Sequence, residues 1–105
     1  MSQGVVHGGK LYSAGIVADE TVPSVAAQTK QILGKIDGLL ARAGSDKTLL
    51  LKANIWLADI SRFQEMNEVW DAWVVKGSAP ARATVEARLA GPEYLVEIMI
   101  EAAVR

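Results

Sequence analysis

The chain has 105 residues, which predicts a single domain over residues 1–105. Half of the residues are hydrophobic and the formal net charge is −1, so no excess of positive charge favours nucleic acid or an anionic membrane as a partner. The absence of cysteine and the single histidine exclude disulfides, thiolate catalysis and a multi-histidine metal site.

No apolar run reaches the roughly 18 residues that a membrane-spanning helix needs. The first residues also lack the basic segment and the apolar core of a signal peptide. We therefore expect a soluble, cytoplasmic protein that has no membrane partner.

Residues 4–17 predict a tight β-hairpin, because Gly8-Gly9 separates two short apolar runs. Gly15 interrupts the second run, which indicates either a close approach to the backbone at a bulge or the plain end of a strand. His7 is interpreted as a structural residue at a strand end.

A first helix is predicted from Pro23 to Ala43, since apolar residues recur there at steps of three and four and form one stripe. Gly44 follows at the position where helices commonly stop. The apolar run Leu49–Leu57 is short for a core helix and predicts a buried strand that is covered on both faces.

Ser61 and Gln64 match a capping box that would open a second helix, and Gly77 is expected to end it. The apolar face of this helix, interpreted as core, consists of Phe63, Met66, Trp70, Trp73 and Val74. Asn67 lies beside that face and is either an ordinary flanking residue or a polar group that reaches a site.

Within residues 80–104, apolar and polar side chains alternate with period two in two runs, and Gly91-Pro92 joins the runs. This pattern predicts two strands and a short loop. One face of the first strand carries Arg82, Thr84, Glu86 and Arg88. One face of the second strand carries Glu97, Met99, Glu101 and Ala103, opposite Val96, Ile98, Ile100 and Ala102. The charged faces are either solvated or line a pocket.

The order strand, strand, helix, strand, helix, strand, strand predicts an α+β fold, a two-layer sandwich with two helices on one face of a mixed sheet. The other face is expected to bring Arg82 and its strand neighbours beside Glu97. Because such a face is too apolar to be fully exposed to solvent and too charged to form the core of a monomer, we expect copies of the chain to cover it.

Five motifs together resemble the RidA/YjgF family, in its YoaB-like branch. They span nearly the whole chain: His7-Gly-Gly-Lys-Leu-Tyr-Ser-Ala-Gly, Ala43-Gly-Ser, Ile55-Trp-Leu-Ala-Asp, Met66-Asn-Glu-Val-Trp-Asp-Ala-Trp-Val, and Pro80-Ala-Arg-Ala-Thr-Val followed by Ala87-Arg-Leu and Val96-Glu-Ile. The resemblance implies a chorismate mutase-like fold. It also implies a homotrimer whose three sheets close a central barrel, with ligand pockets in the clefts between subunits.

The resemblance further implies an enamine/imine deaminase that hydrolyses 2-imino acids and needs no cofactor and no metal. Arg82 would bind the carboxylate of the substrate, and Glu97 would position the attacking water. Thr84, Asn67 and the Ser13-Ala14-Gly15 turn would complete the substrate site. The structural alternative for Arg82 is an ion pair with a glutamate of its own chain, at position 86, 97 or 101.

The chain departs from the best-characterised deaminases of the family at four points. Ala14-Gly15-Ile16 stands where they have Ser-Gly-Gln, Thr84 replaces a cysteine, Met99 replaces an acidic residue, and a pocket tyrosine near their N-terminus has no counterpart here. Because of these differences, the resemblance does not define which imino acid is the substrate. They also leave a second hypothesis, a non-catalytic trimer that binds small carboxylic acids or a protein partner.

Overall fold

A computed structural model describes all residues, 1–105, as one five-stranded sheet with two α-helices. In chain order the elements are β1 (Gly4–His7), β2 (Lys10–Ser13), α1 (Val25–Arg42), β3 (Leu50–Leu57), α2 (Phe63–Trp73), β4 (Ala81–Glu86) and β5 (Val96–Ala103). The strand order across the sheet is β1-β2-β5-β3-β4. Only β3 and β4 pair in parallel, so the sheet is mixed, and the predicted order of elements is confirmed.

The first hairpin forms as predicted and depends on two glycines. Gly8 and Gly9 have φ angles of 60° and 76°, the left-handed conformation that a two-residue hairpin turn requires at both positions. Residues with a Cβ are strained there, so this pair fixes the register of β1 against β2.

Helix α1 begins two residues later than predicted. Ser24 is its N-cap and accepts a hydrogen bond from the Ala27 N–H, so Pro23 lies just before the cap instead of in the first turn. The helix ends at Arg42, and Gly44, with φ of 75°, takes the left-handed position that follows it.

The predicted capping box at Ser61 is wrong. A 3-10 turn, Ile60–Arg62, precedes α2, and the Asp59 side chain caps that turn by accepting from the Ser61 N–H. Helix α2 also ends four residues before Gly77, because Val74 turns to an extended conformation with ψ of 151°.

The core lies between the sheet and the two helices, as the predicted two-layer sandwich requires. The sheet side of the core includes Leu11, Ile16, Leu50, Ala53, Ile55, Leu57, Val96, Ile98, Ile100 and Ala102. The helix side includes Ile32, Leu33, Ile36, Leu40, Met66 and Trp70. Neither helix has the length and apolarity to cross a membrane.

The opposite face of the sheet is uncovered in the single chain, so coverage of β3 on both faces stays a prediction for the assembled protein. Ala53 and Ile55 are buried under the helices, whereas Asn54 and Trp56, which point the other way, are only half-buried. We call this uncovered side the open face. It also carries exposed apolar side chains, among them Val5, Tyr12 and Val85.

Candidate functional site

Arg82 lies on the helix side of the sheet, not on the open face. The parallel register places Arg82 beside Ala53 and Thr84 beside Ile55, and both β3 residues point into the core under the helices. The predicted grouping of Arg82 and Thr84 with Glu97 on one face is therefore wrong. Period-two alternation separates two faces of a strand, but it does not say which of them the helices cover.

Three residues of α2 surround the Arg82 guanidinium. Its Nη1 donates a hydrogen bond to the Asn67 Oδ1 at 2.7 Å. Its central carbon lies 5.5 Å from the ring centres of both Phe63 and Trp70, within the range of cation–π attraction. Asn67 in turn donates from Nδ2 to the Asp71 carboxylate at 3.2 Å.

No carboxylate neutralises Arg82 in the chain. The four ion pairs are Lys10–Glu101, Lys35–Asp19, Arg62–Glu65 and Arg105–Asp46. The alternative of an ion pair between Arg82 and a glutamate is therefore wrong for the single chain. A half-buried guanidinium held by an uncharged amide keeps N–H donors and its full charge for an anion.

Thr84 adds an unsatisfied polar atom beside Arg82. Its Oγ1 is buried and has no hydrogen-bond partner, and it is the one side-chain oxygen or nitrogen in the chain of which this is true. Because buried polar atoms in native proteins are nearly always paired, this hydroxyl is suited to a partner from outside the chain.

Glu97 belongs to a second group of residues, at the bulge that follows β2. A Cβ built on Gly15 would lie 2.1 Å from the Glu97 Oε2 and 2.9 Å from its Cδ, so the carboxylate rests against bare backbone. The close approach expected at Gly15 is confirmed. No hydrogen bond or ion pair within the chain engages the Glu97 carboxylate, which leaves its oxygens available to water or a ligand.

Ser13 holds this bulge in place. Its hydroxyl accepts a hydrogen bond from the Ile100 N–H and donates to the Ala14 carbonyl, each at 2.8 Å. Ile16 resumes pairing with β5 through two bonds to Ile98. The Ser13 hydroxyl is thus committed to the backbone, and its contribution to a site is the shape of the turn that presents Gly15.

The structure therefore brings the predicted residues together in two groups instead of one. The arginine group is Arg82, Thr84 and Asn67, between β4 and α2. The glutamate group is Glu97, Gly15 and Ser13, at the junction of β2 and β5. Because β3 lies between β4 and β5, the groups are two strands, or about 10 Å, apart and their charged residues face opposite sides of the sheet.

Phe63 and Trp70 pack in the core, as the sequence interpretation predicts, and they also lie against Arg82, which that interpretation did not anticipate. Trp70 is buried, yet its ring also faces the guanidinium. The signal was present in the spacing, since Phe63, Asn67 and Trp70 recur at steps of four and three and so form one helical stripe. An asparagine within an aromatic stripe indicates a polar partner across the interface.

A cavity of about 690 Å³ lies beyond the end of β4. Its walls come from the segment 86–92, with Ala58 and Tyr94. Neither Arg82 nor Glu97 lines it. No group of three or more His, Asp or Glu side chains is arranged to hold a metal ion.

Comparisons with known proteins give one consistent family. The family model described as "Endoribonuclease L-PSP" matches residues 1–104. A RutC family protein of Haemophilus influenzae is 47% identical over 101 residues, covering 95% of this chain and 87% of the relative. The RutC family protein YoaB of Escherichia coli is 47% identical over 100 residues, with coverages of 95% and 87%.

The solved structures agree. A crystal structure of a member of the YjgF protein family from Neisseria meningitidis superposes with a TM-score of 0.97 at 48% identity. The match covers 100% of this chain and 87% of that one.

Proposed function

The chain belongs to the RidA/YjgF family, described by its family model as endoribonuclease L-PSP. We propose that it is an enamine/imine deaminase. It hydrolyses small 2-imino acids, of the kind formed from 2-aminoacrylate, to 2-keto acids and ammonia. The observation that carries the proposal is an arginine without a counter-charge, fixed by Asn67 and two aromatic rings.

Arg82 binds the substrate carboxylate. A guanidinium presents parallel N–H donors that match the two oxygens of a carboxylate. The contact therefore orients the substrate as well as compensating its negative charge. The unpaired Thr84 hydroxyl lies two residues along the same strand and supplies a further polar contact to the bound acid. Asn67 contributes to binding through Arg82.

Glu97 positions the water that attacks the imine carbon and accepts its proton. The water oxygen adds to the C=N carbon, the nitrogen is protonated and leaves as ammonia, and the carbon becomes the keto carbonyl. Imines hydrolyse readily even without an enzyme. One well-placed carboxylate acting as a general base therefore supplies a sufficient rate enhancement, roughly 10²–10⁴-fold. Gly15 gives this carboxylate room beside the backbone, and Ser13 holds the turn.

The complete site needs two chains. Arg82 and Glu97 face opposite sides of one sheet, so a small substrate held by Arg82 meets Glu97 from a neighbouring copy. A homotrimer with its sites in the clefts between copies meets this requirement, and it also covers the apolar side chains of the open face. We expect such an enzyme to work in the cytoplasm, where pyridoxal-phosphate enzymes release enamines, and without a cofactor of its own.

The test is an imine-trapping assay. An amino-acid oxidase generates imino acids from several amino acids, and semicarbazide traps whatever is not hydrolysed. Wild-type protein is expected to lower the trapped amount, and Arg82→Ala is expected to abolish this effect while leaving the fold intact. Arg88→Ala, an exposed arginine beyond the end of the same strand, serves as the matched control and should behave as wild type.

A second candidate is a non-catalytic trimer that binds small carboxylic acids or a protein partner through the same arginine group. Thr84 in place of the cysteine of the well-characterised deaminases favours it. The two candidates differ in one result, because a binding protein would bind a 2-keto acid yet lower the trapped imine with no amino acid tested.

A further inference from the structure

Helix α2 offers Arg82 an uncharged partner where a carboxylate would fit equally well. Asn67 accepts from the guanidinium at 2.7 Å, and an aspartate at this position would have almost the same size and shape. The differences are the charge and the Nδ2 donor, which an aspartate lacks. An aspartate would pair with Arg82, whereas an amide orients the guanidinium and leaves its positive charge uncompensated.

The orientation of the Asn67 amide is fixed from its other side. Arginine can only donate hydrogen bonds, so it requires the amide oxygen. The Asp71 carboxylate can only accept, and it takes the Asn67 Nδ2 at 3.2 Å. The chain Asp71–Asn67–Arg82 therefore has one consistent direction, and Asp71 acts on the arginine through a neutral intermediary instead of pairing with it.

The aromatic residues complete this arrangement. Phe63 and Trp70 lie one turn before and one turn after Asn67, and both rings approach the guanidinium to 5.5 Å. They attract the cation through their π electrons without neutralising it. All three α2 contacts thus hold Arg82 in position while none cancels its charge.

We propose that Asn67 is a positioning residue whose neutrality determines whether the site binds an acid at all, and that it does not itself contact substrate. This inference rests on the proposed function, because it assumes that the ligand of Arg82 is a small carboxylate. It assigns the selection of anionic ligands to a residue of α2, outside the strand that carries the arginine.

The test is Asn67→Asp, with Ala72→Glu as the matched control. Ala72 is an exposed residue of the same helix, and it lines the groove that α2 forms with α1. Both variants add one negative charge to α2, but only the first adds it at the guanidinium. The probe is 2-oxobutanoate, its binding measured by calorimetry, and the imine-trapping assay gives kcat and KM.

We expect Asn67→Asp to raise the Kd of 2-oxobutanoate and the KM of imino acids by about tenfold or more, since the new carboxylate competes with the ligand for the arginine. The kcat should change little, because the residue does not touch the reacting atoms. Ala72→Glu should leave all three constants within about twofold of wild type, because exposed charges at a distance are screened. Binding by Asn67→Asp as tight as wild type, or an equal loss in both variants, overturns the proposal.

A ligand-free measurement separates this inference from the proposed function. If wild-type protein neither binds 2-oxobutanoate nor lowers trapped imine, the proposed function fails. The pairing is then tested by thermal unfolding in an Asp71→Asn background, which removes the repulsion between carboxylates at positions 67 and 71. There Asn67→Asp should gain stability relative to Asp71→Asn alone above about pH 5 and lose that gain toward pH 3, as the new carboxylate is protonated. A difference in Tm that does not change with pH overturns the inference on its own.

Discussion

Gly15 lies so close to the Glu97 carboxylate that no side chain fits between them. The position of the proposed catalytic base therefore requires a residue without a Cβ at position 15. A Cβ there would come within 2.1 Å of the Glu97 Oε2. The atom displaced is the end of a flexible side chain and not backbone, so the cost falls on the placement of the carboxylate more than on folding.

We predict that Gly15→Ala lowers kcat by roughly tenfold to a hundredfold, because displacement of a catalytic group by about 1 Å can have an effect of this size. Its free energy of unfolding should change by less than about 1 kcal/mol. The measurements are the imine-trapping assay and urea denaturation.

Gly34→Ala is the control for this prediction. Nothing lies within 4 Å of a Cβ at this exposed position of α1, so the change should leave activity intact and stabilise the helix by up to about 1 kcal/mol. Full activity of Gly15→Ala would show that the position of Glu97 does not matter to the reaction.

At the scale of elements, the turn between α1 and β3 is tied to the C-terminus through Asp46. Its carboxylate accepts hydrogen bonds from the Thr48 hydroxyl and N–H and pairs with Arg105. The Thr48 hydroxyl, then Arg105, lower the pKa of Asp46 from 3.8 to about 2. A carboxyl group with a depressed pKa adds stability above its unfolded pKa of 3.8 and loses it as the pH falls toward 2.

We therefore predict that wild type exceeds Asp46→Asn in stability at pH 5 and that the difference shrinks between pH 4 and pH 2. Urea denaturation at several pH values measures it. Thr48→Val removes the first cause of the shift, so the loss of stability should begin at higher pH in that variant. A difference between wild type and Asp46→Asn that is constant with pH would contradict the assignment.

The sequence predicts the elements of this protein well and the contacts between them poorly. The order of elements, the Gly8-Gly9 hairpin and the buried face of β5 follow from local patterns of turn residues and alternation. The face of β4 does not. Arg82 alternates with apolar residues as a solvent-facing residue would, and only the register against β3 and the position of α2 turn it toward the helices.

The start of α2 likewise depends on how the chain leaves β3, which the local sequence does not show. Ser61 lies inside a 3-10 turn, Ile60–Arg62, that Asp59 caps, and α2 begins after Arg62 with no side-chain cap. The contact between Arg82 and Asn67 joins positions 15 residues apart. Such a contact becomes visible only when both elements have been placed.

At the scale of the whole molecule, the two groups of site residues and the open face lead to the same conclusion. Val5 and Val85 are each about half exposed on the open face, at 53% and 52%, and Trp56 is only half-buried. An apolar surface of this kind favours association of copies, and association is also what would bring a Glu97 to an Arg82. Light scattering should report about three times the chain mass of 11.2 kDa.

Mixing Arg82→Ala and Glu97→Gln chains tests whether two chains build each site. Each variant alone should be inactive. In trimers assembled at random from equal amounts, about a quarter of the clefts combine an intact arginine from one copy with an intact glutamate from the next. We predict that co-expression restores about a quarter of the wild-type imine hydrolysis. Mixed trimers no more active than the separate variants would show that Arg82 and Glu97 of different copies do not form one site.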